Sequence, residues 1–141
     1  MSVAQTESTL RDYLAALLNG GDFASYFSDD IVCTVMETGD EVRGRDAARE
    51  YVVALHTQLF DATPEVRNIA FGDGIAALEA VFVAKHTGEF AGIPATGVTI
   101  QSPYSIFFDV DDDGRITALR AYFPMIAIVQ ELQAKAAASS N

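Results

Sequence analysis

The sequence predicts an α+β fold in which helices pack against one face of a curved antiparallel sheet. Helical segments come first in the chain, and a run of strand-like segments joined by short turns follows them. Separate runs of helices and strands are typical of this fold class, whereas a parallel α/β fold would alternate them. The chain has 141 residues, half of them hydrophobic. This size fits a single domain over residues 1–141, with an ordered core from about residue 8 to residue 134.

The N-terminal part of the chain predicts two helices and one buried strand. The first helix begins at a Thr9 cap and ends at the Asn-Gly-Gly stretch 19–21. A short helix is expected after Asp22, and the β-branched run from Ile31 to Met36 is typical of a buried strand. Helical spacing puts one set of apolar side chains on the same face of the first helix: Leu10, Tyr13, Leu14, Leu17 and Leu18.

The rest of the chain predicts a second long helix, four strands and a C-terminal helix. Turn residues separate the strands, which are expected at 66–71, 75–85, 98–110 and 115–123. The last helix starts at Pro124, and the small polar residues after Ala134 are expected to fray. The second helix covers Arg45 to Leu59, and its apolar face holds Ala48, Tyr51, Val52, Leu55 and Leu59.

Charge and composition exclude several classes of partner. The chain carries 20 Asp and Glu against 9 Lys and Arg, a net charge of −11, which repels nucleic acid and anionic membranes. No apolar run approaches the ~18 residues of a membrane span, and the N-terminus does not resemble a signal peptide. The single cysteine, Cys33, and the absence of phosphate-binding or metal-ligand motifs predict a cytoplasmic protein without cofactor, metal or disulfide.

One acidic segment has two interpretations. The stretch 109–114, Asp-Val-Asp-Asp-Asp-Gly, matches the first half of a calcium-binding loop, in which alternate carboxylates converge on the ion. The position that should hold a bidentate glutamate is Arg120, and the flanking segments are typical of strands rather than helices. A solvated hairpin turn is therefore favoured over a calcium site.

Three titratable side chains are candidates for acid or base catalysis. Glu79 is the sole carboxylate in the apolar run 75–84, where loss of water would suit an acid or base working near neutral pH. Strand alternation offers another interpretation, an outer face that Glu79 shares with Lys85. His86 ends the same strand, and His56 lies one position beyond the apolar face of the second helix. For both histidines a structural role competes with catalysis.

The aromatic residues also have two interpretations. Five tyrosines and nine phenylalanines lie mostly on predicted strands and helix faces. Such rings build a solid core more often than they line a cavity for a small apolar ligand. Cys33 lies in an apolar strand and is expected to be a small buried hydrophobe.

Three segments carry a family resemblance. Residues 20–30 contain Gly-Gly-Asp-Phe and Phe-Ser-Asp-Asp, residues 85–97 are Lys-His-Thr-Gly-Glu-Phe-Ala-Gly-Ile-Pro-Ala-Thr-Gly, and residues 113–123 begin with Asp-Gly-Arg-Ile and end with Tyr-Phe. Together they resemble the SnoaL-like polyketide cyclases, from about Leu10 to Leu132. The resemblance implies the cone-shaped α+β barrel shared with ketosteroid isomerase, limonene epoxide hydrolase and nuclear transport factor two. It also implies a deep apolar pocket and dimerisation through the sheet.

The resemblance implies catalytic positions that this chain fills with other residues. In the cyclases the last strand carries a His-x-Asp motif, and here Leu119 and Ala121 stand in its place. The acid of limonene epoxide hydrolase also falls on Ala121. Compared with ketosteroid isomerase, Tyr13 falls near the tyrosine that donates to the oxyanion, whereas Val35 and Ser105 occupy the positions of the base and the second acid. The usual catalytic base is therefore missing.

Two functions remain open. The first, favoured because the family is mostly enzymatic, is a cofactor-free enzyme for a small apolar carbonyl compound or polyene. Glu79 or His86 would be its acid or base, and Tyr13 or Ser105 would donate a hydrogen bond to an oxyanion. The second is a ligand-binding or dimerisation module without turnover. The residues expected to contact the ligand are Val35, Tyr51, Leu55, Ser105, Phe107, Leu119, Ala121 and Phe123.

The last strand predicts which face of the sheet is available to a second copy of the chain. Alternation puts Arg120 and Tyr122 on the side opposite Leu119 and Ala121. If the latter pair faces a cavity, the former pair faces outward. We expect a homodimer that uses this outer face.

Overall fold

The computed structural model describes residues 2–139, in which three helices pack against a seven-stranded sheet. Helix α1 covers Val3–Leu18, and a 3-10 turn, Phe23–Tyr26, leads into the sheet. Helix α2 covers Arg45–Val53 and continues as a π-helical segment over Ala54–Leu59. Helix α3 covers Met125–Ser139. No helix in this part of the chain combines the length and the apolar character that crossing a membrane requires.

The sheet is mixed and strongly curled, and it forms half a barrel. Its order is β2-β1-β7-β6-β5-β3, with β4 also paired to β5. Strands β1 and β7 run parallel, and the other pairs are antiparallel. The strands are β1 Phe27–Val35, β2 Asp40–Arg43, β3 Phe60–Ala62, β4 Glu65–Phe71, β5 Ile75–His86, β6 Thr99–Val110 and β7 Ile116–Tyr122.

The concave face of the sheet holds the core. Along β5 the even-numbered residues from Ala76 to His86 are buried and the odd-numbered ones are half-buried or exposed, as the two-residue period of a strand requires. One apolar cluster lies under α1 and includes Leu10, Phe27 and Phe108. A second lies under α3 and includes Phe60 and Ile128. The aromatic side chains at the boundary of these clusters frame the candidate site.

The predicted α+β class is confirmed. The ends of two helices differ from the predicted ends. Helix α1 starts before the expected Thr9 cap because Ser2 and Gln5 form a reciprocal capping box. Thr9 lies inside the helix and donates to the Gly114 carbonyl at 3.4 Å. Helix α3 continues through the residues after Ala134 that were expected to fray.

The acidic segment forms the turn between β6 and β7, in line with the favoured interpretation. One Asp111 carboxylate oxygen accepts the backbone N–H groups of Asp113 and Arg115, each at 3.0 Å. Gly114 follows with a positive φ of 76°, which glycine adopts without steric cost. The carboxylate therefore stabilises the hairpin itself.

Candidate functional site

An apolar cavity of about 70 Å³ lies between α1, α2 and the concave face of the sheet. The first two helices close one side of it, and strands β4 to β7 close the other. A single buried water needs roughly 10–15 Å³ of such volume, so the cavity has room for roughly five groups of that size. Its lining is Tyr13, Leu14, Leu17, Leu18, Tyr51, Val52, Leu55, His56, Pro64, Val66, Leu78, Phe82, Tyr104, Ile106, Phe108, Leu119, Ala121 and Phe123.

His56 lies in the π-helical segment Ala54–Leu59, four residues after Val52. This helical spacing puts His56 beside Val52, and both residues line the cavity. His56 then packs edge-to-face on Phe82, with ring centroids 6.0 Å apart. The segment thus places an imidazole in the cavity wall.

Hydrogen bonding fixes the tautomer of His56. Its Nδ1 lies 2.8 Å from the Val52 carbonyl oxygen, which only accepts. Nδ1 therefore carries the hydrogen, and the neutral ring keeps an unprotonated Nε2. Burial lowers the pKa of His56, and the Val52 carbonyl opposes that shift in part. His56 is accordingly a neutral base at pH 7.

Three tyrosines supply hydroxyl groups to the same cavity. Burial raises the pKa of Tyr104 to about 12, and it raises the pKa of Tyr13 further, with smaller contributions from Cys33 and Tyr104. Burial also raises the pKa of Tyr51. All three phenols stay protonated at neutral pH, so each can donate a hydrogen bond to a carbonyl oxygen.

Several of the predicted site residues lie together in the cavity wall. The helices supply Tyr13, Tyr51 and Leu55, and the end of the sheet supplies the others. The alternation predicted for the last strand holds, since Leu119 and Ala121 face the cavity whereas Arg120 pairs with Asp109 on the other face. The predicted residues that line the cavity are Tyr13, Tyr51, Leu55, Leu119, Ala121 and Phe123.

Glu79 lies on the outer face of the sheet, away from the cavity. Its carboxylate accepts a hydrogen bond from the Asn68 amide at 3.0 Å in an exposed pair. The expectation of an acid or base at this position is therefore corrected, because the strand period turns Glu79 outward while Leu78 and Ala80 face in. Glu79 therefore has the position of the other interpretation, an outer face that it shares with Lys85.

Ser105 and Phe107 share that outer face, and Val35 lies outside the cavity as well. On β6 the side chains that face inward are Tyr104, Ile106 and Phe108, so their neighbours Ser105 and Phe107 point the other way. Phe107 is 36% exposed and packs against Tyr122. These three residues were expected to contact a ligand, and the geometry places none of them in the cavity wall.

His86 is fully buried, but it lies in the second apolar cluster rather than at the cavity. Its Nδ1 accepts the Thr96 backbone N–H at 3.2 Å and lies 2.9 Å from the Thr96 hydroxyl oxygen. The neutral ring therefore carries its hydrogen on Nε2. Phe60 packs beside it, with ring centroids 5.4 Å apart. The expected catalytic role gives way to a structural one in this position.

Of the cavity residues with a polar group, His56 and Tyr104 were absent from the sequence-based set. His56 was interpreted as a helix-edge residue because it lies one position beyond the predicted apolar face. Tyr104 is detectable in principle, since it shares the two-residue period of Ile106 and Phe108. The sequence-based set instead took Ser105 and Phe107 from the opposite face of β6.

Comparison with solved structures identifies the fold. A protein of Jannaschia sp. CCS1 described as a SnoaL-like polyketide cyclase is 16% identical, with a TM-score of 0.80 over 91% of each chain. A protein of Xanthomonas campestris described as a polyketide cyclase is 19% identical, with a TM-score of 0.79 over 92% of this chain and 98% of that one. A protein of Kribbella flavida described as a ketosteroid isomerase is 17% identical, with a TM-score of 0.69 over 86% and 79%.

The curled sheet closed by helices is thus a fold that this chain shares with SnoaL-like and ketosteroid isomerase-like proteins. The family model of the SnoaL-like polyketide cyclases matches residues 8–132. The chain belongs to that family, as the resemblance in its sequence predicted. No curated protein is significantly similar to it in sequence.

Proposed function

We propose that this protein is a cofactor-free enzyme that moves a proton on a small apolar carbonyl compound held in the cavity. The observation that carries the proposal is the imidazole of His56. It lies in a wall whose other side chains are aliphatic or aromatic, and its Nδ1–H is fixed on the Val52 carbonyl at 2.8 Å. A neutral histidine in a dry site is a suitable general base near pH 7.

The chemistry follows from these groups. Nε2 of His56 removes a proton from the carbon next to the substrate carbonyl, and the C–H electron pair forms the double bond of an enolate. The negative charge develops on the carbonyl oxygen, where a cavity tyrosine such as Tyr13 or Tyr104 donates a hydrogen bond. If the substrate has a β,γ double bond, the enolate is a dienolate, and the imidazolium returns its proton to the γ carbon, which leaves the α,β-unsaturated isomer. Alternatively, the enolate carbon attacks a second carbonyl of the same molecule, and the new carbon–carbon bond closes a ring. The alkoxide that forms then takes the proton from the imidazolium.

Binding without turnover is the second candidate function. It is favoured by the absence of any carboxylate among the residues that line the cavity. Ala121 lines the wall where the family resemblance implies an aspartate. In this case the cavity would hold a small apolar ligand by burial of its surface alone.

Deuterium exchange separates the two functions. Cyclopentanone, a ketone with six non-hydrogen atoms, is incubated with the protein in deuterium oxide. NMR follows the exchange of the hydrogens on the carbons next to its carbonyl group. We expect His56→Gln to slow this exchange about 100-fold while the affinity for cyclopentanone stays within about threefold, because general base catalysis typically contributes 10²–10⁴-fold. Glu79→Gln is the matched control on the outer face and should exchange at the rate of the unmodified protein.

The result that overturns the enzymatic proposal is equal exchange by the unmodified protein and by His56→Gln when both bind the ketone. Binding without turnover is then the function. If the ketone does not bind at all, both candidate functions fail together.

We also propose a homodimer through the outer face of the sheet. Its support is a pair of exposed aromatic rings, Phe107 and Tyr122, which are 36% and 49% exposed with centroids 5.9 Å apart. The ion pair of Arg120 with Asp109 lies beside them. Light scattering at micromolar concentration is expected to give twice the monomer mass, and Tyr122→Lys should reduce it. A monomer in the unmodified protein would contradict the proposal.

A further inference from the structure

A surface cleft adjoins the cavity between the end of α1 and helix α2. It has a volume of about 420 Å³. Leu17, Val52 and His56 line both the cleft and the cavity. These three side chains form a wall that the two spaces share. The other residues that line the cleft are Gly20, Gly21, Asp22, Phe23, Ala24, Arg49, Val53 and Thr57.

Arg49 differs from the other arginines of the chain. The other six, at positions 11, 43, 45, 67, 115 and 120, each donate a hydrogen bond to a carboxylate or carbonyl oxygen. The sole ion pair of Arg49 within residues 2–139 is with Asp46, at 3.9 Å, and that carboxylate is 90% exposed. This distance is too long for a hydrogen bond. Its guanidinium therefore keeps donors free at the wall of the cleft.

The charged groups around the cleft define what it can recognise. Asp22 also lines it, and its carboxylate does not cap the 3-10 turn that follows. Arg45, the neighbouring cation, is already held by the Phe27 carbonyl and by Asp29. A guanidinium with free donors matches the two oxygens of a carboxylate. Asp22 would oppose such a ligand by repulsion.

We propose that the cleft binds the carboxylate of an amphipathic substrate, whose apolar part passes Leu17, Val52 and His56 into the cavity. Arg49 is the recognising cation. This inference rests on the proposed function and names its substrate class, a short-chain carboxylic acid with an apolar body. Such a ligand matches the two neighbouring spaces, because its apolar body fits the apolar cavity and its carboxylate fits the cleft that Arg49 lines.

Two probes that differ only at the head group test the proposal. Hexanoate and 1-hexanol are titrated separately into the 15N- and methyl-labelled protein, with NMR shifts at Leu119 and Ala121 reporting occupation of the cavity. We expect Arg49→Gln to raise the Kd of hexanoate about fivefold, since a partly exposed charged pair is worth about that much. The Kd of hexanol should change less than twofold by comparison. Asp22→Asn should act in the opposite direction and lower the Kd of hexanoate.

Arg67→Gln is the matched control, because Arg67 is an exposed arginine on β4 that pairs with Glu65 away from the cleft. Equal hexanoate affinities in the unmodified protein and in Arg49→Gln, with hexanol still bound, would overturn the role of Arg49 and leave the proposed function intact. If neither probe shifts Leu119 or Ala121, the proposed function fails instead. The two failures are thus distinguishable.

Discussion

The two histidines of this chain lie in two differently built regions. His56 lines a cavity, and within the described residues the hydrogen bond of its ring ties Nδ1 to the backbone of its own helix. His86 is 0% exposed, and β3, β5 and the 87–98 loop surround it closely. Burial lowers the pKa of both rings. The shared pKa direction therefore does not distinguish a functional histidine from a structural one.

What distinguishes them is the space beside the ring. The ring of His86 is packed against Phe60, and its Nδ1 already accepts from Thr96, so no substrate atom can approach it. His56 has a neighbouring cavity and keeps an unprotonated nitrogen. Removal of the His86 ring should therefore reduce stability, whereas removal of the His56 ring should reduce the rate of the proposed reaction.

His86→Ala should have the largest effect on stability. It removes a fully buried ring and leaves the backbone N–H of Thr96 without its acceptor. We expect the free energy of unfolding to fall by about 3 kcal/mol, from the new cavity and the unsatisfied donor together. Chemical denaturation measures the loss.

His86→Phe is the control for that experiment, because it refills the volume without restoring the acceptor for Thr96. About half of the loss should remain. A His86→Ala variant within 1 kcal/mol of the unmodified protein would contradict a structural role, since buried ring deletions typically cost about 3–5 kcal/mol.

Ala121→Asp should have the next largest effect, in the cavity region. The new carboxyl would replace a methyl group among Leu119, Phe123 and Tyr104 in the apolar wall. We expect a stability cost of about 1–3 kcal/mol and a carboxyl pKa above its ordinary value, because burial disfavours the charged form. NMR titration of the new carboxyl measures that pKa. An unshifted value would mean that solvent reaches position 121.

The sequence predicts the faces of the last strand more reliably than the contents of the cavity. On β7 the alternation of small or apolar residues with Arg120 and Tyr122 is clear, and the structure bears it out. On β6 the outward set includes Gln101, Ser105 and Asp109, and Phe107 was expected in the cavity although it shares that mostly polar face. The period of a strand identifies which residues share a face, and a second signal is needed to say which face is inside.

Other features depend on non-local pairing or lie in short strands. The parallel pairing of β1 with β7 joins segments almost ninety residues apart, and it was not predicted because no local pattern encodes it. Strands β2 and β3, with 4 and 3 residues, are too short to show a period. The homodimer and the cytoplasmic location stay predictions.

The pH dependence of stability should separate the shares of the two histidines. Because both pKa values are lowered from 6.5 in the folded chain, the unfolded chain binds protons more readily below about pH 6.5. Stability is therefore complete above that pH and falls as the pH decreases toward the lowered values. Each ring contributes up to about 1.4 kcal/mol per pH unit in that window.

Denaturation midpoints between pH 7.5 and 5.5 measure this slope in the unmodified protein, His56→Gln and His86→Gln. Each variant lacks one of the two titrating rings, so the pH dependence of its stability should be less steep than that of the unmodified protein. If both variants keep the full slope, groups other than the two histidines control stability in this range.

His56→Gln should have the smallest effect on stability. The ring lines a cavity, and the substitution sacrifices one hydrogen bond to the Val52 carbonyl and one edge contact with Phe82. Such losses typically amount to about 0.5–1 kcal/mol, far below the cost expected for His86→Ala. Chemical denaturation at pH 7.5 measures the difference, since both rings are neutral there and their titration does not contribute. A loss as large as that of His86→Ala would show that His56 is also a structural residue, and the contrast between a functional and a structural histidine would then fail.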